Sequence, residues 1–209
     1  MSLEDGAGSV SPGRPTRGRK ASFAERRERK AEIDDPVVVL EAAARFLEPR
    51  ARSVTEVRRR LTGAGYQTDL VEGAITRMLE LGMLDDEAFA RAWVESRDRA
   101  RPRGERAIRQ ELGLKGIDRS TIDLVLEERR EAAAGIPSDD GERAITPDQA
   151  AAERLLARNA RSLARVADPR QRRQRAYALL ARNGFDPEVC RTVAAQVETN
   201  ATDEPPEDD

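Results

Sequence analysis

The sequence predicts an all-α protein, an elongated, curved array of three tandem three-helix units with disordered N- and C-terminal tails. Three observations predict it. Capping residues followed by proline recur at Asp35-Pro36, Thr146-Pro147, Asp168-Pro169 and Asp186-Pro187. Such a pair satisfies an orphan amide and presets φ for the first helical turn. One pattern then occurs three times without gaps: Val57, Leu61, Gly65-Tyr66; Ile108, Leu112, Gly116-Ile117; Ala176, Leu180, Gly184-Phe185. It reads as a helix, a glycine cap, a hydrophobe tucked under the turn and a second antiparallel helix. Finally, apolar residues make up 38%, charged residues 36% and aromatics 3%. A core so lean must be distributed, as in stacked repeats that each bury one stripe.

Residues 1–34 are rich in Gly, Ser, Pro and charge and are expected to be disordered, with a nascent helix over Phe23–Ile33. The first unit spans residues 35–83. Its first helix covers Pro36–Leu47, with Val39, Ala43, Phe46 and Leu47 on one stripe. Ser53-Val54-Thr55-Glu56 is a capping box that starts the second helix, with Val57 and Leu61 inward and an end at the Gly63–Gly65 turn. The third helix, over Asp69–Leu81, buries Leu70, Ala74, Met78 and Leu81, or the neighbouring stripe of Val71, Ile75 and Leu79.

The second unit, 84–134, repeats the plan. Asp85 or Asp86 caps a helix carrying Phe89 and Trp93, four residues apart on one face. Pro102 and Gly104 break the chain before a helix over Glu105–Leu114 with Ile108 and Leu112 inward. Asp118 caps the third helix, which turns Ile122, Val125 and Leu126 inward. Residues 135–146 form a surface linker. The third unit, 147–197, buries Leu155 and Leu156, then Ala176 and Leu180, then Val189 or Cys190, Val193 and Val197. Residues 198–209 are an acidic tail.

Charge and residue usage exclude several function classes. The formal net charge of −2 hides a strongly basic third unit, where Ala150–Val197 carries ten Arg against four acids. Lysine occurs only at positions 20, 30 and 115, so the cationic chemistry is that of the forked guanidinium, suited to phosphate and carboxylate. With no His and one Cys, neither a disulfide framework nor an ordinary zinc site is expected. No cofactor is expected either. There is no phosphate loop and no nucleophile–base arrangement, so the chain reads as a binding module and not an enzyme. No apolar run approaches the roughly 18 residues of a membrane span, and the N-terminus lacks a secretory h-region. The expected setting is the cytoplasm, the expected state a monomer.

Two features suggest chemistry but read better as structure. Phe89 and Trp93 could form a base-stacking platform, yet their spacing beside Leu84 and Val94 favours core packing. Asp85-Asp86 could suggest a metal or acid–base pair, yet an N-cap with a helix-dipole charge explains it. Cys190 stands for a hydrophobe on a helix stripe.

The stretch Leu81-Gly-Met-Leu-Asp-Asp-Glu-Ala-Phe-Ala-Arg-Ala-Trp-Val-Glu-Ser-Arg97 resembles the most characteristic segment of the bacterial RecX regulatory proteins. So do the Arg/Gly turn after it, Ile108–Leu112 and Lys115-Gly116-Ile117. Arg50–Ser53 leading into Glu56-Val57-Arg58 is similar to that family's first-unit helix start, and Leu179-Leu180 through Asn183-Gly184-Phe185 to its third-unit turn. The resemblance covers Pro36–Val197. Departures are the long linker, the extended N-terminal tail, and Tyr177 where the other units have Arg58 and Arg109. The resemblance implies a negative modulator of the RecA recombinase that lies in the groove of the RecA–DNA filament and suppresses ATP hydrolysis and strand exchange. The partner it implies is the RecA filament, with single- or double-stranded DNA as a second expected contact and no membrane. An array of this kind would present Arg58, Arg106, Arg109, Arg172, Arg173 and Arg175, on the second helices, as the contact face. A stand-alone DNA-binding helical-repeat protein is the alternative, since each helix–glycine turn–helix is similar to a helix-turn-helix.

Overall fold

The computed structural model describes residues 22–134 and 145–199. Among them the chain is helical, with eleven helices and no strand. They are α1 (Phe23–Ala31), α2 (Pro36–Leu47), α3 (Val54–Ala64), α4 (Thr68–Glu80), α5 (Asp86–Ala100), α6 (Glu105–Leu114), α7 (Arg119–Ala134), α8 (Pro147–Arg158), α9 (Ala160–Ala164), α10 (Pro169–Arg182) and α11 (Pro187–Thr199). Helices α2–α4, α5–α7 and α8–α11 make three tandem units, each with its own apolar core.

The three predicted glycine turns share one geometry. Gly65, Gly116 and Gly184 have φ of 106°, 78° and 80°, the left-handed region that favours glycine. In each, the following amide reaches back to the carbonyl of the repeat leucine: Tyr66 to Leu61 at 3.3 Å, Ile117 to Leu112 at 3.1 Å, Phe185 to Leu180 at 3.4 Å. This is the Schellman closure of a helix end, and it buries Tyr66, Ile117 and Phe185. The downstream repeat positions Val71, Ile122 and Cys190, and then Ile75, Leu126 and Ala194, are all buried.

Capping chemistry sets the starts. Ser53 and Thr146 form reciprocal capping boxes with Glu56 and Gln149. Asp35 and Asp168 cap prolines. Asp85, not Asp86, caps α5, accepting from the Glu87 and Ala88 amides.

Three expectations need correction. Residues 22–34, assigned to a disordered tail, hold α1, which starts at a Ser22–Glu25 capping box and packs on α3. Gln67 Nε2 donates to the carbonyls of Ala31 and Ile33 at 2.9 and 3.3 Å, tying the end of α1 down. The rest of the N-terminal tail, and both the bulk of the linker and the acidic tail, lie outside the described residues. Helix α4 buries neither predicted stripe alone but the four residues between them, Val71, Ala74, Ile75 and Met78. The chain turns at Gly82 and puts Leu84 into the core, while Leu79 and Leu81 stay exposed at 46% and 50%. The third unit gains the short α9, because Asn159 ends α8 and starts the next turn, placing Leu163 and Val166 in or beside the core.

Successive units meet end to end through a repeated joint. The start of α3 abuts the glycine end of α6, and the start of α6 abuts the glycine end of α10. Ser53 Oγ donates to the carbonyl of Lys115 at 2.6 Å. The Gly104 amide donates to the carbonyl of Asn183 at 3.0 Å. Both acceptors immediately precede the left-handed glycine. The first amide of each docked helix finds an aspartate of the next unit: Val54 to Asp86 at 2.9 Å and Glu105 to Asp148 at 3.0 Å. Contacts are close enough that a Cβ on Gly116 would strike the Thr55 side chain, and one on Gly184 would strike Ala107. The positive end of one helix thus faces the negative end of the next, a favourable alignment of helix dipoles.

Glu56 binds the first joint electrostatically. Burial alone would raise its pKa, but hydrogen bonds from Arg50, Lys115 and the Ser53 amide outweigh that and lower it from 4.5 to about 2. A carboxylate with a depressed folded pKa adds stability above its unfolded value, and that stability is lost as pH falls through the folded one. The melting-temperature gap between the native chain and Glu56→Gln, present at neutral pH, should therefore close between pH 4.5 and about 2. Thermal melts at stepped pH check this; a gap unchanged at pH 2 would contradict the assignment.

Candidate functional site

The six arginines singled out by sequence do not share one environment. Arg58 is clamped to Glu72, its Nε and Nη2 donating at 2.6 and 2.8 Å. Arg109 pairs with Glu105 and with Asp123. These are the same contact in two units: in each, the arginine of the second helix holds an acid fourteen residues on, on the third helix. They brace α3 to α4 and α6 to α7. The Glu72 hydrogen bond raises the Arg58 pKa, and the Asp123 bond does the same for Arg109, so both stay charged.

The third unit breaks this pattern. Tyr177 stands where Arg58 and Arg109 stand, and the residue fourteen on is Arg191. The acid is gone and a guanidinium takes its place. The result is a groove of about 550 Å³ between α10 and α11, lined by Arg170, Arg173, Gln174, Tyr177, Arg191 and two alanines. Among the described residues its lining has three guanidinium groups and no carboxylate. Chemically it suits an anion, a carboxylate or a phosphate, with the tyrosine ring as one wall. Of these residues the sequence singles out Arg173, as part of a contact face of the second helices, and neither Arg170 nor Arg191. The signal was available: Tyr177 departs from the repeat, and its partner position carries the opposite charge from the other units.

The remaining candidates are spread out. Arg106 and Arg175 are exposed, and neither makes an ion pair among the described residues. Arg172 is half-buried, donates from Nε to the Val166 carbonyl at 3.1 Å, and faces a different groove. That groove, about 500 Å³, lies among α8, α9, α10 and α11 and is lined mainly by Leu156, Leu163, Val193 and Val197, with Glu153 and Gln196 at its edge.

Trp93 belongs to the fold. Its ring stacks on Phe89 with centroids 5.9 Å apart. Indole Nε1 donates to Glu111 at 2.8 Å, and the same carboxylate accepts from Arg97 Nε at 2.6 Å. Arg97 and Lys115 sit 4.2 and 4.5 Å from the ring centroid. A ring held this way is not a free stacking platform. Trp93→Ala should cost about 3–5 kcal/mol of unfolding free energy, measured by urea denaturation; a fully stable variant would return the ring to the list of binding groups.

Asp85 and Asp86 are both spent on helix starts, their own and that of α3. Burial raises the Asp86 pKa, opposed by the Val54 amide. Among the described residues no group of three or more His, Cys, Asp or Glu is placed to hold a metal ion, and no helix is long and apolar enough to cross a membrane. Cys190 is buried in the third core, and burial raises its thiol pKa.

Comparison with known proteins places this architecture. The chain matches the family models of the first, second and third three-helix domains of RecX over residues 40–78, 85–126 and 147–193. It is similar to the regulatory protein RecX of Mycobacterium avium (strain 104), 32% identical over 154 residues, or 73% of this chain and 81% of that protein. It is 38% identical to the regulatory protein RecX of Mycobacterium sp. (strain JLS) over 101 residues, 48% of this chain and 54% of that protein. With that relative the match thus spans about half the length. The crystal structure of RecX from Lactobacillus salivarius superposes with a TM-score of 0.63 at 18% identity, covering 79% of this chain and 98% of that one. At that identity the likeness is one of fold.

Proposed function

Because the chain belongs to the RecX family of regulatory proteins, we propose that it is a negative modulator of the RecA recombinase. It acts by binding and not by catalysis. On this reading it lies in the groove of the RecA–DNA filament, slows ATP hydrolysis and strand exchange, and so restrains recombination and DNA repair.

The observation that carries this reading is the end-to-end joint between units. Three bundles fixed in series offer three separated contact patches on one body. A filament repeats its own surface along its length, so each patch can engage a different protomer. Once one is bound, the others act at high effective concentration, and weak contacts sum to a strong one. The guanidinium side chains on those patches suit the carboxylates and phosphates of a nucleoprotein filament.

Within the arginine set, the structure motivates a division of labour. Arg58 and Arg109 hold the bundles together, while Arg106, Arg173 and Arg175, with Arg170 and Arg191 of the α10–α11 groove, meet the partner. Arg172 sits at the edge of the apolar groove and contributes there. Changing Arg106, Arg170, Arg175 and Arg191 together to Glu should weaken inhibition of RecA-promoted strand exchange by tenfold or more while leaving the melting temperature within a few degrees. Strand exchange between circular single-stranded DNA and linear duplex is the test. Full inhibition by the quadruple variant would remove these residues from the interface. No effect of the native chain on exchange, with tight binding to naked DNA, would favour the stand-alone DNA-binding reading instead.

A further inference from the structure

The second unit holds a bridged pair of cations that the first unit repeats without the bridge. In the second unit Glu111 joins two guanidiniums: its Oε2 accepts from Arg97 Nε at 2.6 Å, and its Oε1 lies 3.6 Å from Arg103 Nε. At the same repeat positions the first unit has Phe46 for Arg97, Arg52 for Arg103 and Arg60 for Glu111. The acid has become a second arginine. Arg52 Cζ lies 4.3 Å and Arg60 Cζ 5.6 Å from the centroid of the Phe46 ring, which packs against the first core. A ring face attracts a cation but offers its N–H groups no oxygen. Among the described residues neither arginine makes an ion pair, and Arg52 Nε is buried with no acceptor. Glu56, midway between them in sequence, is taken by Arg50 and Lys115. The third unit has Gln171 and Leu179 at the two arginine positions, so of the three units only the first sets two arginines together here.

We propose that Arg52 and Arg60 form a binding site for a carboxylate side chain of a protein partner, which bridges them as Glu111 bridges Arg97 and Arg103. Two like charges against one ring repel, and an anion between them turns that repulsion into two attractions. The buried Nε makes Arg52 ready to move: its resting position leaves a donor unsatisfied, and turning toward an oxygen satisfies it. A carboxylate is favoured over a phosphate because the group that fills this repeat position inside the molecule is a glutamate, with one oxygen for each guanidinium. For the identity of its partner the site rests on the role proposed above. It gives the first unit, whose Arg58 is committed to Glu72, a contact of its own with an acidic side chain of the filament protein.

The side-chain Nε–H signals of Arg52 and Arg60, followed by NMR in the full chain, test this with an oligoglutamate peptide as probe. Both should shift together and saturate. Arg60→Glu rebuilds the bridge of the second unit. It should move the Arg52 signal to its bound position with no peptide added, weaken the response to peptide tenfold or more, and leave the melting temperature no lower than native. Arg59→Glu, the same charge change one residue away, should keep the affinity within twofold. A loss with Arg59→Glu as large as with Arg60→Glu would reduce the site to diffuse charge and overturn the proposal. So would a lower melting temperature for Arg60→Glu, or signals that answer an oligothymidylate and not the peptide, which would make this a phosphate site. If Arg60→Glu does not fold, Arg52→Gln replaces it: a tenfold weaker response at Arg60 upholds the proposal and an unchanged one overturns it. Co-sedimentation with RecA filaments on single-stranded DNA separates the site from the proposed role. A native chain that binds the peptide but not the filament would remove the role and uphold the site. Filament binding that Arg60→Glu leaves undiminished would overturn the partner assigned to it.

Discussion

Replacing Gly184 by valine should release the third unit from the second. Gly184 ends α10 at φ 80°, and the start of α6 presses on it so closely that a Cβ would overlap Ala107 and its backbone. Gly104 approaches from the other side, with its own Cβ position filled by the Gly184 carbonyl. Valine would carry two penalties. A left-handed φ costs a side-chain-bearing residue roughly 1–2 kcal/mol, and overpacking at a tight contact costs roughly 1–3 kcal/mol more. Neither can relax cheaply, because the neighbours are backbone atoms. The expected result is a loss of about 2–5 kcal/mol, and a melting temperature lower by roughly 2–4 °C for each kcal/mol. Amide exchange should quicken first at Glu105 and Ala107, whose amides lie in the joint. Ala157→Gly, in the third unit away from the joint, should spare the joint amides and serves as the control. A Gly184→Val chain with native melting and native protection at α6 would show that the joint does not hold the units.

Arg129→Met should be the most damaging single charge change in the molecule. The Arg129 side chain is 7% exposed and bridges Asp98 of α5 at 2.7 Å and Asp148 of α8 at 2.6 Å. Asp148 also accepts the first amide of α6. One guanidinium therefore ties a helix of the second unit to the start of the third. Burial disfavours its charge, and the hydrogen bonds it donates to Asp98 and then Asp148 more than restore it, leaving the pKa raised. Removing only the cation leaves two carboxylates facing each other in a half-buried seam, at a cost of about 3–5 kcal/mol. Lysine at this position should recover only part, since a single ammonium cannot serve two carboxylates with a planar fork. Urea midpoints measure the effect. By contrast Arg45→Ala, which loses only an exposed pair with Glu41, should cost about 0.3–0.5 kcal/mol. Similar midpoints for the two variants would contradict the account of the seam.

The sequence made the inside of each unit legible because that is written in local chemistry. A glycine four residues after a buried leucine, a capping box, or an Asp-Pro step each acts on its own turn. The repeat then carried the pattern from one unit to the next. What escaped were interactions between units. Asp86 reads as a charge at the start of its own helix, but its partner is the Val54 amide, 32 residues upstream. Nothing local to either residue announces that. Arg58 and Arg109 read as a free face because an arginine on one helix says nothing about the neighbouring helix. Their pairing at a fixed offset of fourteen becomes visible only once the repeats are laid over each other. The same overlay exposes Tyr177 and Arg191 as the place where the third unit trades a brace for a groove lined by guanidinium groups. Helix α1 was foreseen only as a nascent helix, since its hold on the fold is a backbone contact with Gly65 and two bonds from Gln67.

Three units fixed in series are proposed here to act on a recombinase filament. ATP hydrolysis by RecA on single-stranded DNA, measured with the chain at amounts well below one per RecA protomer, tests it most directly. The expected result is inhibition by the native chain and a marked loss of inhibition for Gly184→Val at a temperature where that variant remains folded. A hydrolysis rate unchanged by the native chain would contradict it, and so would inhibition that survives the loosened joint undiminished.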